Sequence, residues 1–276
     1  MADSMSRSTA TGVGEVIRDI VAAYYSDWDK TKLKFAKEFL ARTWAGIPLP
    51  VLSMCGQGTQ EIRYSTYLAY FLDYAKPHGL NTRYLDSMLS FLGFSDVDTY
   101  KSIVETEKWI GQIENEKGSY PDIVITTKTH SIVIEQKITS GESKNATSGV
   151  TQLIRYDRAI SQNPIFTDKT MIRIFLTPTG KKSAKSPHWI PLSHKDLITI
   201  GMHTLSAGGL SGIARENLKR FLLDLCLGPY KQEEKRIQDL IESAEQAVTS
   251  TNFADKLRFD QYLSSNQLLV ELLMEG

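Results

Sequence analysis

The chain has 276 residues, of which 41% are hydrophobic and 23% are charged, a composition that excludes a disordered protein, a collagen-like fibre and a disulfide scaffold. Its 32 Lys and Arg residues balance 32 Asp and Glu residues, so the net charge indicates no polyanionic partner. Two distant cysteines support no zinc cluster, and neither a signal peptide nor a run of about 18 apolar residues is present. We therefore expect a cytoplasmic protein without a membrane span.

The N-terminal part of the chain is predicted to be helical. Apolar residues recur at helical spacing from Val16 to Tyr24 and from Leu33 to Leu40. A third helix is predicted within residues 61–75, and a fourth over about residues 82–92.

The middle of the chain changes to β-branched runs with the period of strands. The predicted elements are strands over residues 102–113, 122–125 and 131–138, a helix through Gln152, and strands over 171–176 and 189–192. The second and third strands form a predicted hairpin. This order indicates an α/β fold with a mixed central sheet of at least four strands flanked by helices.

The C-terminal part returns to helix, with amphipathic runs over residues 211–227 and 234–248. We therefore predict three segments. Residues 1–58 form a helical N-terminal lead-in, residues 59–205 form the core, and residues 206–276 form a helical extension.

Three charged side chains are predicted to converge on the hairpin. Because side chains alternate along a strand, Glu135 and Lys137 project from the same face. If the chain turns between Thr127 and His130, Asp122 lies opposite Glu135 on that face. Two opposed carboxylates require a cation, and their hard oxygen atoms suit Mg²⁺ or Mn²⁺. The alternative is a solvated hairpin whose charges pair with one another.

Three motifs together resemble the PD-(D/E)XK nuclease superfamily: Pro121-Asp122, Glu135-Gln136-Lys137 and Gln152-x-x-x-Tyr156. The last is similar to the Q-x-x-x-Y element of the RecB-like branches. Upstream, Glu61-x-x-x-Ser65 and His78-Gly79 resemble the signature of one branch. The resemblance spans about residues 61–177 and implies a core like that of the restriction endonucleases.

The resemblance implies hydrolysis of phosphodiester bonds, above all in DNA, with Mg²⁺ as the cofactor and Mn²⁺ as a substitute. By resemblance, Asp122 and Glu135 hold the ion, and Glu61 and the Gln136 carbonyl complete its ligands. Lys137 corresponds to the catalytic lysine, which positions the attacking water. We expect the Gln136 side chain to point away from the site.

Glu61 shares one face of its predicted helix with Ser65 and Leu68, because these residues follow at intervals of four and three. If Leu68 packs inward, Glu61 turns toward the sheet. The alternative is a glutamate favoured by the dipole at a helix start. Glu105 and Glu107 are lesser candidates for the same role, and His78 is interpreted as a turn histidine with a structural hydrogen bond.

Five further residues are candidates for substrate binding. Gln152 and Tyr156 lie one helical turn apart, so they can reach the same point. They orient the site or contact nucleic acid, unless Tyr156 simply packs at the edge of the core. Lys181, Lys182 and Lys185 belong to residues 169–195, which contain six basic side chains and no acidic one. This basic strip suits phosphate contact, although a solvated loop explains it equally well.

Two alternatives to a DNA nuclease stay open: a catalytically idle protein of this fold that binds nucleic acid or a partner, and a nuclease that acts on RNA. A role in defence against phage or mobile DNA follows from the resemblance by analogy only. The apolar stripes of residues 234–248 and 268–274 favour a homodimer over helices that cap the monomer.

Overall fold

The computed structural model describes residues 19–275, except positions 21, 24, 25, 27, 48, 49, 58, 59, 113–117, 139–149 and 228–234. The helix predicted from Val16 to Tyr24 therefore lies largely outside the described residues. The chain divides into two compact units, one formed by Met1–Ile47 with Glu234–Gly276 and the other by Pro48–Glu233. Within the described ranges, none of the helices is long and apolar enough to cross a membrane.

The second unit is built on a five-stranded sheet with the strand order β1-β2-β3-β4-β5. The strands are β1 (Ile103–Thr106), β2 (Ile123–Thr126), β3 (His130–Gln136), β4 (Thr170–Thr177) and β5 (Ile190–Ser193). The first three strands pair antiparallel, whereas β4 and β5 continue the sheet parallel to β3. This mixed sheet, flanked by helices, confirms the predicted fold class.

In the sequence, helices precede β1, connect β3 to β4 and follow β5. They are α1 (Leu33–Ala45), α2 (Val51–Met54), α3 (Glu61–Leu72), α4 (Arg83–Phe91), α5 (Gln152–Gln162), α6 (Pro164–Thr167), α7 (His194–Ser206), α8 (Gly212–Leu227), α9 (Lys235–Thr249), α10 (Phe253–Ser265) and α11 (Gln267–Met274). A π-helical turn, Trp28–Lys32, precedes α1.

The β2–β3 hairpin has the predicted register. Ile123 pairs with Ile134, and the backbone N–H of Thr127 donates to the carbonyl of His130 at 2.9 Å to close the turn. The apolar residues of both strands are fully buried on the two faces, because helices cover the sheet on both sides. The register of a buried hairpin is strongly fixed, since a slip by one residue would exchange its two faces.

The first strand is shorter than the prediction of residues 102–113, because β1 ends at Thr106. Glu107 follows in the left-handed region at φ 48°, which turns the chain out of the extended conformation. Pairing resumes beyond it, where the N–H of Ile110 donates to Ser119 at 2.9 Å.

One face of the sheet is covered by α5. This helix presents a buried apolar stripe to the sheet residues Val124, Val133 and Phe175. The buried members of α5 are Leu153, Tyr156, Ala159 and Ile160. Because α5 packs on the same face that carries Glu135, its polar side chains lie close to the predicted site.

Helix α7 was not predicted from the sequence, although its start carries a capping box. The Ser193 hydroxyl accepts from the N–H of Asp196 at 2.9 Å, and the Asp196 carboxylate accepts from the N–H of Ser193 at 2.8 Å. The next helix, α8, stacks Phe221 on Phe71 with ring centroids 5.0 Å apart. Helix α8 therefore belongs to the sheet-bearing unit.

The first unit contains α1, α9, α10 and α11. The ring of Phe259 lies 6.2 Å from Trp28 and 6.4 Å from Phe39, centroid to centroid, and Lys32 pairs with Asp260 at 2.8 Å. Four apolar residues of α11 are buried, Leu269, Val270, Leu272 and Leu273, whereas Leu268 and Met274 are partly exposed. Because one chain already covers this stripe, its apolar character does not by itself require a second copy.

Candidate metal centre

Asp122 stands directly before β2, opposite Glu135 near the end of β3. Its carboxylate accepts from the backbone N–H of Gln136 at 2.7 Å, and its carbonyl accepts from the N–H of Glu107 at 3.1 Å. These two hydrogen bonds hold Asp122 from both neighbouring strands. Its side chain therefore lies on the face of Glu135, as the register predicts.

Glu61, the first residue of α3, reaches the same place from outside the sheet. One carboxylate oxygen from each of Glu61, Asp122 and Glu135 lies within 4.8 Å of the other two. Glu61 also accepts from the backbone N–H of Ile138 at 3.4 Å. The helix start therefore points its carboxylate at the end of β3, which an interaction with the helix dipole alone would not require.

Lys137 lies among these carboxylates. Its Nζ donates to Glu61 at 2.8 Å, to the carbonyl of Gln136 at 3.1 Å, and to Glu135. The residue is only 5% exposed, so it is buried and is not a cleft lysine at the surface. Three carboxylates, those of Glu61, Asp122 and Glu135, face one ammonium group, which leaves two negative charges unbalanced when all are ionised.

Burial and like charge shape the electrostatics of this acidic cluster, Glu61, Asp122 and Glu135. Burial raises the pKa of Glu135, and the negative charge of Asp122 raises it further. Burial likewise raises the pKa of Asp122. For Lys137, burial acts to lower the pKa, but the charges and hydrogen bonds of Glu135 and Glu61 outweigh it, so the pKa is raised. The lysine therefore stays protonated, and the carboxylates favour a further cation.

The donor set fits a divalent metal ion. Glu135 Oε2 is buried and has no hydrogen-bond partner among the described residues. A buried carboxylate oxygen normally has a partner, and a metal ion could supply it here. Carboxylate and carbonyl oxygens are the ligands that Mg²⁺ and Mn²⁺ prefer. Glu61, Asp122 and Glu135 could hold such an ion through their side chains, and Gln136 through its carbonyl. The Gln136 side chain alternates to the opposite face, as predicted.

The predicted pair Gln152 and Tyr156 meets as expected, but it contacts the backbone beside the cluster. The Gln152 amide donates to the Tyr156 hydroxyl at 2.7 Å, and that hydroxyl donates to the carbonyl of Tyr120 at 2.8 Å. Tyr156 is buried, and burial, with the charge of Glu135 adding to it, raises its pKa. A buried hydroxyl that is already engaged does not reach a substrate. The geometry therefore favours the orienting role, since Tyr120 lies two residues before Asp122.

Lys181, Lys182 and Lys185 are exposed on the loop that follows β4. Because β4 runs parallel to β3, this loop leaves the sheet at the end where Lys137 lies, and the N–H of Lys137 donates to the carbonyl of Leu176 at 2.8 Å. The loop therefore starts at the correct end of the sheet for a contact with substrate phosphates, which stays a prediction.

The lesser candidates lie outside the cluster. Glu105 forms an ion pair with Lys108, and the exposed Glu107 does not belong to the three-carboxylate group. His78 is the predicted turn histidine: its Nδ1 accepts from the N–H of Leu80 at 3.0 Å and its Nε2 donates to the carbonyl of Asp73 at 2.8 Å.

Sequence reasoning missed Arg155, which stands inside the Q-x-x-x-Y element. Its guanidinium carbon lies 5.6 Å from the ring centroid of Tyr156, a cation–π distance. Its Nε is buried without a hydrogen-bond partner among the described residues. The sequence signal for this residue was its position, since Arg155 directly precedes the tyrosine of the Q-x-x-x-Y element on the same helix.

The sequence match to known proteins covers the unit that carries this site. A family model of the PD-(D/E)XK nuclease superfamily matches residues 50–224. No curated protein and no solved structure matches the chain. The matched region contains the residues described above: Glu61, Asp122, Glu135, Gln136, Lys137, Gln152 and Tyr156. The chain therefore belongs to the PD-(D/E)XK nuclease superfamily.

Proposed function

We propose that this protein is a divalent-metal-dependent nuclease that hydrolyses phosphodiester bonds, with DNA as the expected substrate. The observation that carries the proposal is the convergence of Glu61, Asp122 and Glu135 within 4.8 Å at the ends of two strands. Membership of a nuclease superfamily supports it. Mg²⁺ is the expected ion and Mn²⁺ its substitute, because both prefer hard oxygen ligands.

In this proposal, Glu61, Asp122 and Glu135 hold the metal ion with help from the carbonyl of Gln136. A bound divalent ion polarises a phosphoryl oxygen and lowers the pKa of a bound water. The protein fixes its ligands beforehand, since hydrogen bonds from the backbone hold Asp122 and Glu61. Lys137 stays protonated, positions the attacking water and offsets the negative charge that grows on the phosphate.

One observation favours the alternative of a catalytically idle protein that binds nucleic acid or a partner. Lys137 already pairs with Glu61 and Glu135, so it neutralises part of the cluster without any metal. The clustering of the three carboxylates supports a bound cation over this alternative, because their burial and like charges raise the pKa values of Glu135 and Asp122 and so cost stability when both are ionised.

Cleavage of plasmid DNA and of a matched RNA by the purified full chain, with Mg²⁺ and with or without a chelator, tests the proposal. We expect DNA cleavage that the chelator abolishes. The variant Glu135→Gln removes a charged metal ligand and keeps the shape of the side chain. It should fold normally, because burial already favours the neutral form of Glu135. Glu216→Gln, at an exposed position of α8, is the matched control. Cleavage that survives both the chelator and Glu135→Gln would contradict the proposal, and cleavage of RNA alone would change the substrate.

The proposal extends to oligomeric state, cellular setting and biological role. A homodimer would allow two sites to cut both strands of a duplex, and light scattering at about 10 μM tests it. The cytoplasmic setting is inferred from the cysteine content of the sequence. A role in defence against phage or mobile DNA is an analogy with the superfamily.

A further inference from the structure

Two large aromatic side chains are exposed on the backbone segments that adjoin Asp122 of the acidic cluster. Trp109 is 56% exposed and Tyr120 is 52% exposed. A Trp and a Tyr that are exposed beside a candidate active site are candidates for ligand contact, because each combines a large apolar ring with a polar group. We refer to residues 107–112 and 118–122, which carry them, as the aromatic ribbon.

The backbone of the aromatic ribbon brings the segments that carry these two residues side by side. The N–H of Glu107 donates to the carbonyl of Asp122 at 3.1 Å, and the N–H of Ile110 donates to that of Ser119 at 2.9 Å. Ser119 in turn forms an antiparallel bridge with Gly111. Trp109 and Tyr120 therefore lie between two backbone connections of the same ribbon. Tyr120 precedes Asp122 by two residues, so their Cα atoms lie at most about 7 Å apart.

The aromatic ribbon is anchored on α5 by both of its segments. The Tyr156 hydroxyl donates to the carbonyl of Tyr120, and the side-chain amide of Asn163 donates to the carbonyl of Ile110 at 2.8 Å. Ile110 itself is buried in the core cluster against α5. The exposed rings therefore stand on a fixed backbone, as a binding platform requires.

Gly118 leaves room for the Tyr120 ring. A Cβ atom at residue 118 would lie 2.8 Å from Cε2 of Tyr120, closer than two such atoms can approach. The ring therefore lies close to Gly118, while the Tyr120 side chain as a whole remains exposed. A side chain at residue 118 would displace the ring without removing it.

We propose that Trp109 and Tyr120 stack on unpaired bases of the strand whose phosphodiester bond is held at the acidic cluster. The preferred substrate is then single-stranded or carries an unpaired end, an inference that rests on the proposed nuclease function. Aromatic side chains stack on any base, and paired bases inside a duplex do not offer their faces. Because Tyr120 lies only two residues before Asp122, a base stacked on its ring would lie near the bond held at the acidic cluster.

One basic side chain near the aromatic ribbon, Arg155, suits a phosphate better than an apolar protein partner, whereas the exposed Glu107 of the ribbon carries the opposite charge. Arg155, on the helix that anchors the ribbon, lies against Tyr156 with its Nε unpartnered among the described residues. Such a guanidinium can bind a phosphate, whereas a partner with a hydrophobic surface would leave it uncompensated.

The test compares binding of a labelled oligothymidine single strand with binding of a blunt-ended DNA hairpin, by fluorescence anisotropy, in a Glu135→Gln background that prevents cleavage. We expect Trp109→Ala and Tyr120→Ala to weaken single-strand binding by between about 5-fold and about 150-fold each. Hairpin binding should change by less than about 2-fold, since phosphate contacts dominate there. Gly118→Ala should weaken single-strand binding in the same direction, because it moves the ring.

Tyr100→Ala is the matched control. Tyr100 is also exposed in this unit, but it precedes β1, whose first residue, Ile103, pairs with Thr126 at the end of β2 away from Asp122. We expect its single-strand affinity to equal that of the parent. Unchanged affinity in both Trp109→Ala and Tyr120→Ala, or equal losses on single strand and hairpin, would overturn base stacking.

Failure of this inference and failure of the proposed function are distinguishable. Cleavage by the chain with Glu135 intact is measured in parallel on both DNA forms. If that chain cuts neither form, the proposed function fails, while the binding comparison still tests the aromatic ribbon. If it cuts DNA and the two aromatic variants bind and cut the single strand as the parent does, only the stacking inference fails.

Discussion

The ammonium group of Lys137 donates to a carboxylate oxygen of Glu61 at 2.8 Å, although the two residues are 76 positions apart in the chain. This ion pair joins the start of α3 to the end of β3. Because Lys137 also bonds to Glu135, one buried cation is shared by two of the three carboxylates of the acidic cluster. The lysine and a divalent ion would therefore neutralise the same carboxylates. Metal binding at this site should for that reason be measurable as a change in the thermal stability of the protein.

Glu61→Gln should slow cleavage by about 10-fold to 100-fold, because it weakens a metal ligand and frees Lys137 from one partner. Its effect on the free energy of unfolding should be below about 1 kcal/mol, since the Glu61 side chain is 33% exposed and its ion pair is screened. Cleavage rate and urea unfolding measure the two effects. A rate equal to that of Glu216→Gln would leave Glu61 with only a helix-start role.

Mg²⁺ should raise the melting temperature of the parent chain, by roughly 5 °C or more when its concentration is about 100 times the Kd. In Lys137→Ala the metal-free protein should be less stable than the parent, because Lys137 is buried among carboxylates, and the Mg²⁺-induced rise should be larger. Its cleavage should be at least about 100-fold slower. In Glu135→Gln, Mg²⁺ should no longer raise the melting temperature. Equal rises in all three proteins would contradict a metal site here.

His194 should make a contribution to stability that decreases with acidity, whereas the raised pKa values of Asp122 and Glu135 act in the opposite direction. His194 is fully buried, neither ring nitrogen has a hydrogen-bond partner among the described residues, and burial lowers its pKa to about 4. The unfolded chain binds that proton below about pH 6.5, so the stabilisation is complete above this pH and is lost progressively toward pH 4. The loss from His194 amounts to about 3 kcal/mol.

Urea unfolding at about pH 5 and about pH 7.5 measures this effect. His194→Leu should reduce the pH dependence, whereas His188→Asn, at an exposed position, should leave it unchanged. Burial also lowers the pKa of His78, so part of the dependence should remain. A pH profile of His194→Leu that matches the parent would show that His194 is hydrated or paired in solution.

Replacing Lys181, Lys182 and Lys185 with Ala should weaken DNA binding and reduce the slope of log affinity against log salt by up to about 3, roughly one for each phosphate that the lysines neutralise. Folding should be unaffected, since all three side chains are exposed. Binding titrations at several salt concentrations measure the slope. The double variant Lys34→Ala/Lys37→Ala removes exposed lysines from the other unit as a control. A slope equal to that of the parent would identify a solvated loop.

The sequence by itself determined the elements whose contacts are local. The periodicities of α3, α4 and the β2–β3 hairpin are complete within short windows, so their helical or extended state could be predicted. The hairpin turn fixes the register, and the register fixes that Asp122, Glu135 and Lys137 share a face. The length of β1 could not be predicted, because the left-handed backbone of Glu107 has no signal in a β-branched run.

The tertiary structure decided the features that depend on distant partners. Glu61 joins the acidic cluster only because α3 packs beside β1 and β2, and the burial of Lys137 follows from the same packing. The hydroxyl of Tyr156 donates a hydrogen bond to the carbonyl of Tyr120, 36 positions earlier. No local sequence pattern encodes this contact. Periodicity specifies which face of an element is buried, whereas the identity of the group that meets that face depends on how the elements assemble.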